Sequence, residues 1–289
     1  MPVLQGDRKV FEETNWNEEW KKTTLGASWR RRQEDPVAYF DKKAEWYNRV
    51  VPKRSDHASE VIPRLAVDHD STVLDIGSGP GILSVPLAKT VKHVTALDPS
   101  SAMLRCLENN AQREGLENIT LINKRWEDVD IGKDMEAHDI VIASHSLTML
   151  DLKGALIKMN EASDKAVYLI AGAGKQAWDY LELWPKLYGE PYVPGPDYIF
   201  IVNILYQMGI YANMEIWTND SRQPVSSLDD AVQERLEYFE ASLPGAEQVI
   251  REHLSRTLVE ENGVLMARRK TKTAMIWWQK TRGSQWDAG

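Results

Sequence analysis

Short apolar runs recur between residues 72 and 171, each bounded by polar or glycine positions, and apolar residues at helical spacing fill the stretches between them. Thr72 to Ile76, His93 to Asp98, Asn118 to Asn123, His138 to Ser146 and Ala166 to Ala171 read as buried strands. Leu83, Leu87 and Ala88 mark the apolar side of a helix after the first strand. Pro99 to Leu104 opens another, and Asp151 to Ala162 is a third. Strands alternating with helices at this rhythm predict an α/β fold, a doubly wound and mostly parallel sheet. Residues 1 to 70 carry few strand signals but place Trp16, Trp20, Tyr39, Phe40, Trp46 and Tyr47 at helical spacing. Asp35-Pro36 is a helix start, because proline suits the first turn and aspartate caps it, and that helix runs from Ala38 to Val51 at Pro52. A second is expected from Ser55 to Leu65.

After residue 171 the alternation stops. Trp178, Tyr180, Trp184, Tyr188, Tyr192 and Tyr198 crowd a segment broken by Pro185, Pro191, Pro194, Gly195 and Pro196, which predicts a helix, an irregular loop and a helix from about Asp197 to Met208. A sixth strand follows at Asn213 to Thr218, then helices from Ser227 to Phe239 and Ala246 to Val259. Val264 to Arg268 and Thr273 to Gln279 suggest a closing hairpin. The expected organisation is a helical lid over 1–70, a ligand-binding core over 71–173, an aromatic cap insertion over 174–211, and the rest of a seven-stranded sheet over 212–289.

Composition narrows the classes. With 289 residues, 43% hydrophobic and 27% charged, the chain can bury a large core. No apolar stretch approaches a membrane span, and the polar, acid-rich start resembles neither a secretory nor a transit signal, so a cytoplasmic protein is expected. Cys106 is the single cysteine, which excludes an internal disulfide and a multi-thiolate metal site. A net charge of −8 argues against nucleic acid as the obligatory partner, although short basic runs such as Arg30-Arg31-Arg32 and Arg268-Arg269-Lys270 are present. Oligomerisation is left open.

The candidate chemistry lies just after the first strand. Gly77, Gly79 and Gly81 allow a tight turn and a close backbone approach, and the helix amides beyond them favour negative charge, so a nucleotide-like ligand is expected. The spacing differs from the dinucleotide fingerprint G-x-G-x-x-G, because the third glycine comes one residue early and Ile82 takes the final position. Asp75 would repel a diphosphate and attract a cation. The pattern Asp75, Gly77, Gly79, Gly81 resembles motif I of the class I S-adenosylmethionine-dependent methyltransferases, whose cofactor carries an ammonium and a sulfonium.

That resemblance implies a Rossmann-like methyltransferase fold and S-adenosyl-L-methionine as cofactor, without a metal. The implied cofactor site takes in Asp75, Gly77, Ser78, Gly79 and Gly81, then Asp98 and Pro99 at the end of the second strand, where a carboxylate can accept both ribose hydroxyls. Met103 would lie beside the adenine or in the core. Lys124 to Val129 resembles motif III in part, with Arg125 where the family has its leading acid. The adenine contact then falls to Glu127 or Asp128, with Trp126 stacking on the ring or flanking it. Ala143 and Ser144, at the end of the fourth strand, and Tyr47 complete the set.

His145 is the candidate general base, or else a backbone-bonded histidine. The Ala143-Ser144-His145 end differs from the Asn/Asp-Pro-Pro-Tyr signature of amino-nucleobase methyltransferases. Trp46, Trp178 and Tyr206 are candidates for contact with the acceptor, though packing or a subunit contact also accounts for such aromatics. The expected function is methyl transfer to a small-molecule acceptor. Methylation of protein or RNA, or a non-catalytic sensor of the cofactor, are the alternatives.

Overall fold

The computed structural model describes residues 13–33, 35–54, 57–174, 179–241 and 243–280. Among the described residues the N-terminal part holds α1 (Trp16–Gly26), α2 (Ser28–Arg31), α3 (Pro36–Arg54) and α4 (His57–Val61), the last passing into a 3₁₀ turn at Ile62–Arg64. The expected stop at Pro52 does not occur, and α3 runs two residues past it. The second expected helix ends at Val61 and not at Leu65, because Pro63 removes an amide and tightens the last turn, and its expected start at Ser55 lies outside the described residues.

The sheet core is β1 (Thr72–Ile76), α5 (Ser84–Ala88), β2 (His93–Leu97), α6 (Ser101–Arg113), β3 (Ile119–Ile122), β4 (His138–Ser144), α7 (Leu152–Glu161) and β5 (Ser163–Gly172). After it come α8 (Asp179–Tyr188), α9 (Tyr198–Gln207), β6 (Asn213–Val225), α10 (Leu228–Phe239), α11 (Ala246–Thr257), β7 (Val259–Glu261) and β8 (Val264–Gln279). Strands pair in the order β3-β2-β1-β4-β5-β8-β6, with β7 on β8. The first five pair in parallel, Asp75 facing Ala96 on one side and Ile142 on the other. Winding reverses between β1 and β4, and their carboxyl ends form the crevice where open α/β sheets bind ligands.

The sheet has eight strands among the described residues, one more than expected. β8 is one continuous strand, where a hairpin was expected within it. The turn comes earlier, at Asn262 and Gly263, both at positive φ (52° and 77°), and joins β8 to β7 antiparallel.

The chain divides into two compact units, Met1–Gly172 with Gly195–Glu215 and Ala274–Gly289, and Ala173–Pro194 with Ile216–Thr273. In the first, apolar faces of β1, β4 and β5 (Leu74, Ile76, Val141, Val167, Leu169) pack with Leu152, Leu156 and Met159 of α7. Trp16 and Trp20 meet Phe200 edge to face at 5.9 and 6.4 Å, and the Trp20 indole donates to Met149 O at 2.8 Å. In the second unit α8, α10 and α11 enclose Leu183, Trp184, Leu187, Val232, Ile250 and Leu254. Tyr180 stacks on Tyr192 at 5.1 Å. The described part of the segment 174–211 is thus shared out, Tyr180, Trp184, Tyr188 and Tyr192 building one core and Tyr198 and Phe200 packing in the other.

Candidate active site

The glycine loop is tied down before any ligand is considered. Gly77 N and Ser78 N both donate to Leu97 O, at 2.7 and 3.1 Å, so the end of β2 holds the turn that leaves β1. Gly77, Gly79 and Gly81 all have positive φ (72°, 55° and 89°). Each serves a different need. A Cβ on Gly77 would lie 2.3 Å from the Ser146 Cβ, and one on Gly81 would lie 2.7 Å from Leu107 Cγ on α6. A Cβ on Gly79 would meet nothing within 4 Å.

The difference is testable by thermal unfolding. Gly79→Ala is expected to cost only the left-handed conformation, about 1–2 kcal/mol. Gly77→Ala adds a backbone-close clash of about 1–3 kcal/mol, so it should be the less stable variant. Equal stabilities would show that Ser146 yields freely.

Two carboxylates stand behind the loop. Asp75 is buried in β1 and accepts a 2.6 Å hydrogen bond from Ser84 Oγ at the start of α5. Burial pushes its pKa up to about 6, with the charge of Asp98 adding and the Ser84 bond opposing. Asp98 is also buried, its Oδ2 accepting from Gly79 N at 2.9 Å and its Oδ1 from Ser100 N at 2.8 Å. Burial raises this carboxyl too, against those two bonds.

The helix α3 is fastened to the same region. Asp41 accepts from Ser100 Oγ at 2.6 Å and Ala102 N at 3.0 Å, and the Ser100 bond holds its carboxyl below the ordinary value. Asn110 Nδ2 donates to Asn48 Oδ1 at 2.7 Å and to Pro80 O at 3.0 Å, joining α3, α6 and the loop. Asn123 Nδ2 holds the carbonyls of Asp98 and Pro99, at 3.0 and 2.9 Å.

At the end of β4, Ala143 is buried and Ser144 half-buried. Ser144 Oγ and His57 Nε2 share a hydrogen bond of 2.8 Å. His145 follows at φ 52°, its amide donating to Ile170 O at 2.9 Å, and its ring centroid stands 5.4 Å from that of His57. Ser146 Oγ donates to Ile76 O at 2.5 Å, which locks this strand end to the loop. Desolvation pushes both imidazoles below their ordinary pKa, and His57 lowers His145 further. His145 nevertheless reaches water, which tempers its desolvation, and both rings are neutral at pH 7.

The remaining candidates divide. Met103 is buried with Ala44 and Cys106, against half-buried Tyr47 and Phe40. Trp46 is buried at 5.3 Å from the Tyr47 ring. Trp126 lies in the hydrophobic core with its indole N–H donating to Ala155 O at 3.2 Å, and its carbonyl accepts from Lys158 Nζ at 2.8 Å. Glu127 and Asp128 are exposed. Tyr206, half exposed on α9, borders a shallow pocket with Asn17, Lys153 and Gln207, whose lining includes no residue of the glycine loop or of the ends of β1, β2 and β4. Trp178 lies outside the described residues.

Several groups at the site escape a reading of sequence. Asp41 sits among residues noticeable for their aromatics, and His57 lies 87 positions from its partner Ser144. Neither spacing carries a signal.

Known proteins share parts of this sequence and the fold. A family model described as "Methyltransferase domain" matches residues 73–163. A Haemophilus influenzae relative, described as "Uncharacterized protein", is 31% identical over 249 residues, 86% of this chain and 91% of its own. The ubiquinone biosynthesis O-methyltransferase of Coxiella burnetii is 26% identical over 174 residues, 58% of this chain and 70% of that protein. The chain belongs to the class I S-adenosylmethionine-dependent methyltransferases. S-adenosylmethionine is this methyltransferase's cofactor.

Among solved structures, the [4+2]-cyclase SpnF aligns with TM-score 0.54 and 13% identity, over 86% of this chain and 95% of that one. At that identity it speaks for the fold alone, and a cyclase on this fold illustrates that architecture does not fix a chemistry. Among the described residues, no helix is long and apolar enough to cross a membrane, and no cluster of three or more His, Cys, Asp or Glu is arranged to hold a metal.

The residues present fit the cofactor of this methyltransferase. Ser78 Oγ is buried with no hydrogen-bond partner among the described residues, at the centre of the glycine loop. Space beside Gly79 and two buried carboxylates, neither of them shifted by a cationic side chain among the described residues, suit a ligand with hydroxyls and positive charge.

Proposed function

We propose that this methyltransferase modifies a small molecule held at the carboxyl ends of β4 and β5, beside Ser144 and His145. In this reading Asp98 accepts from the ribose hydroxyls and Gly79 keeps the loop free of a side chain. Gly77, Ser78, Gly81 and Asp75 face the charged end of the cofactor. Pro99, Met103, the Trp126 backbone, Glu127 and Asp128 frame the adenine, with Tyr47 and Trp46 closing from α3. When bound, S-adenosylmethionine supplies an electrophilic methyl group on a sulfonium sulfur. The chain then has to orient an acceptor atom, exclude water and remove a proton where the acceptor carries one. His145 is placed to take that proton, as a neutral imidazole one residue beyond β4.

The observation that carries this reading is the strand end itself, where Ser144, His145 and His57 converge within hydrogen-bond or ring contact, locked to the glycine loop through Ser146 and Ile76. The net charge of −8 makes a polyanionic acceptor a poor match.

Transfer from isotopically methyl-labelled cofactor into fractionated cell extract tests the reading. Label is expected in the small-molecule fraction. Label confined to RNA or to protein would overturn it.

A further inference from the structure

Two histidines meet at the end of β4 from distant parts of the chain, and the sequence pattern points to one of them alone. His57 opens α4, and its Nε2 shares a 2.8 Å hydrogen bond with Ser144 Oγ. Ser144 immediately precedes His145, which is held at φ 52°. A non-glycine residue in that region is strained, and such strain persists where the surroundings over-determine it. Here the His145 amide to Ile170 O and the neighbouring Ser146 hydroxyl to Ile76 O supply that constraint. The rings face each other at 5.4 Å, tilted by 50°.

We propose that His57 and His145 work as one base that holds a single proton, with His145 meeting the acceptor and His57 as its positioning residue, and that the acceptor is a neutral molecule that loses a hydroxyl proton as it is methylated. This rests on the small-molecule reading given above. Two imidazoles at this separation cannot both be cationic without repulsion, so the first proton opposes the second. Among the described residues, the charged and titratable groups acting on the pair are Glu60, which favours a charged His57, and His57, which disfavours a charged His145. Among the described residues, no lysine or arginine shifts either ring. Among the described residues an already ionised carboxylate acceptor therefore meets no cationic side chain that acts on either ring, while a neutral hydroxyl finds a neutral base.

The step balances. The methyl–sulfur bond breaks with its electron pair left on sulfur, which becomes a neutral thioether, and an oxygen–methyl bond forms. The acceptor's O–H bond breaks with its electrons kept by oxygen, and the proton passes to the His145 imidazole.

The pair is tested first in the free, full-length protein, by following the histidine ring signals in NMR from pH 4 to 9. His57→Gln keeps a side-chain amide that can reach Ser144 Oγ but cannot take a proton. It is expected to raise the His145 midpoint by about one pH unit, and His145→Gln should raise that of His57 likewise. Unchanged midpoints in both folded variants would overturn the shared proton. The second arm supplies methyl-labelled cofactor with a panel of neutral phenols or of aryl carboxylates. Transfer to phenols, with the acid limb of kcat shifted upward in His57→Gln and cofactor affinity unchanged, supports the proposal. Transfer to carboxylates alone overturns the acceptor class. Label entering only macromolecules would defeat the small-molecule reading, whereas the NMR result judges the histidine pair independently.

Discussion

Replacing Asp98 by alanine is expected to weaken S-adenosylmethionine binding by about 2–4 kcal/mol, roughly 30- to 900-fold, at about 1.5–3 kcal/mol for each charge-assisted bond before compensation. The carboxylate is at the end of β2, where a ribose would present two hydroxyls, and each of its oxygens keeps a lone pair after accepting from Gly79 N or Ser100 N. Those same bonds give the substitution a second effect. Alanine leaves the two amides without their acceptor and frees Gly79, the loop glycine with open space where a side chain would stand. Calorimetric titration at constant pH measures the loss, with circular dichroism to show that the variant is folded. Asp98→Asn should lie between, because one acceptor oxygen survives while the charge does not. A folded alanine variant that binds with wild-type affinity would place the ribose elsewhere.

How far the sequence could be read depended on whether the signal was local. β1, β2 and β4 were legible because parallel strands buried on both faces are nearly continuous apolar runs, and β3, an edge strand with Thr120 exposed, because Ile119, Leu121 and Ile122 stand between polar residues. Each of them leads into a residue of the candidate site, namely Gly77, Asp98, Asn123 and Ser144. β8 misled because Arg268 to Lys272 looks like a turn by charge. In the structure those residues alternate between half-buried and exposed along a strand, so long basic side chains extend into water without breaking the ladder. β6 was cut short for the same reason, its residues from Asn219 to Gln223 being polar yet extended.

At the site, glycines and acids are readable because their backbone roles depend on neighbours in sequence. Trp126 was read as stacking on a base or flanking it, and its ring packs in the core, since aromatic residues fill a core as readily as they line a pocket. The His57 to Ser144 bond and the Asp41 to Ser100 bond join α3 and α4 to strands far along the chain. No periodicity encodes such pairs.

The remaining large effect is a pH dependence centred on Asp75. Its folded-state pKa is raised to about 6, mainly by burial, from an unfolded value near ~3.9. A carboxyl raised on folding stabilises the fold in its protonated form. That contribution is complete below about pH 4 and is lost as pH rises through about 6. Two units correspond to ~3 kcal/mol as an order of magnitude, so the free protein carries an ionised, buried Asp75 at pH 8 at a cost of that size. Asp75→Asn can still accept from Ser84 Oγ and is never charged. It is therefore expected to raise the unfolding temperature at pH 8 and to leave it unchanged at pH 4, as read by a thermal melt of the free protein.

Binding should move the opposite way. A cation near Asp75 favours its ionised form, so wild-type affinity for S-adenosylmethionine should rise about tenfold from pH 5 to 7, with proton release to buffer. Asp98 titrates in the same site, and the difference between wild type and variant isolates Asp75. The asparagine variant should be both more stable at pH 8 and weaker in binding there, with the smaller pH slope. Equal slopes in the two proteins would mean that Asp75 only ties β1 to α5 through Ser84 and never senses the charge of the cofactor.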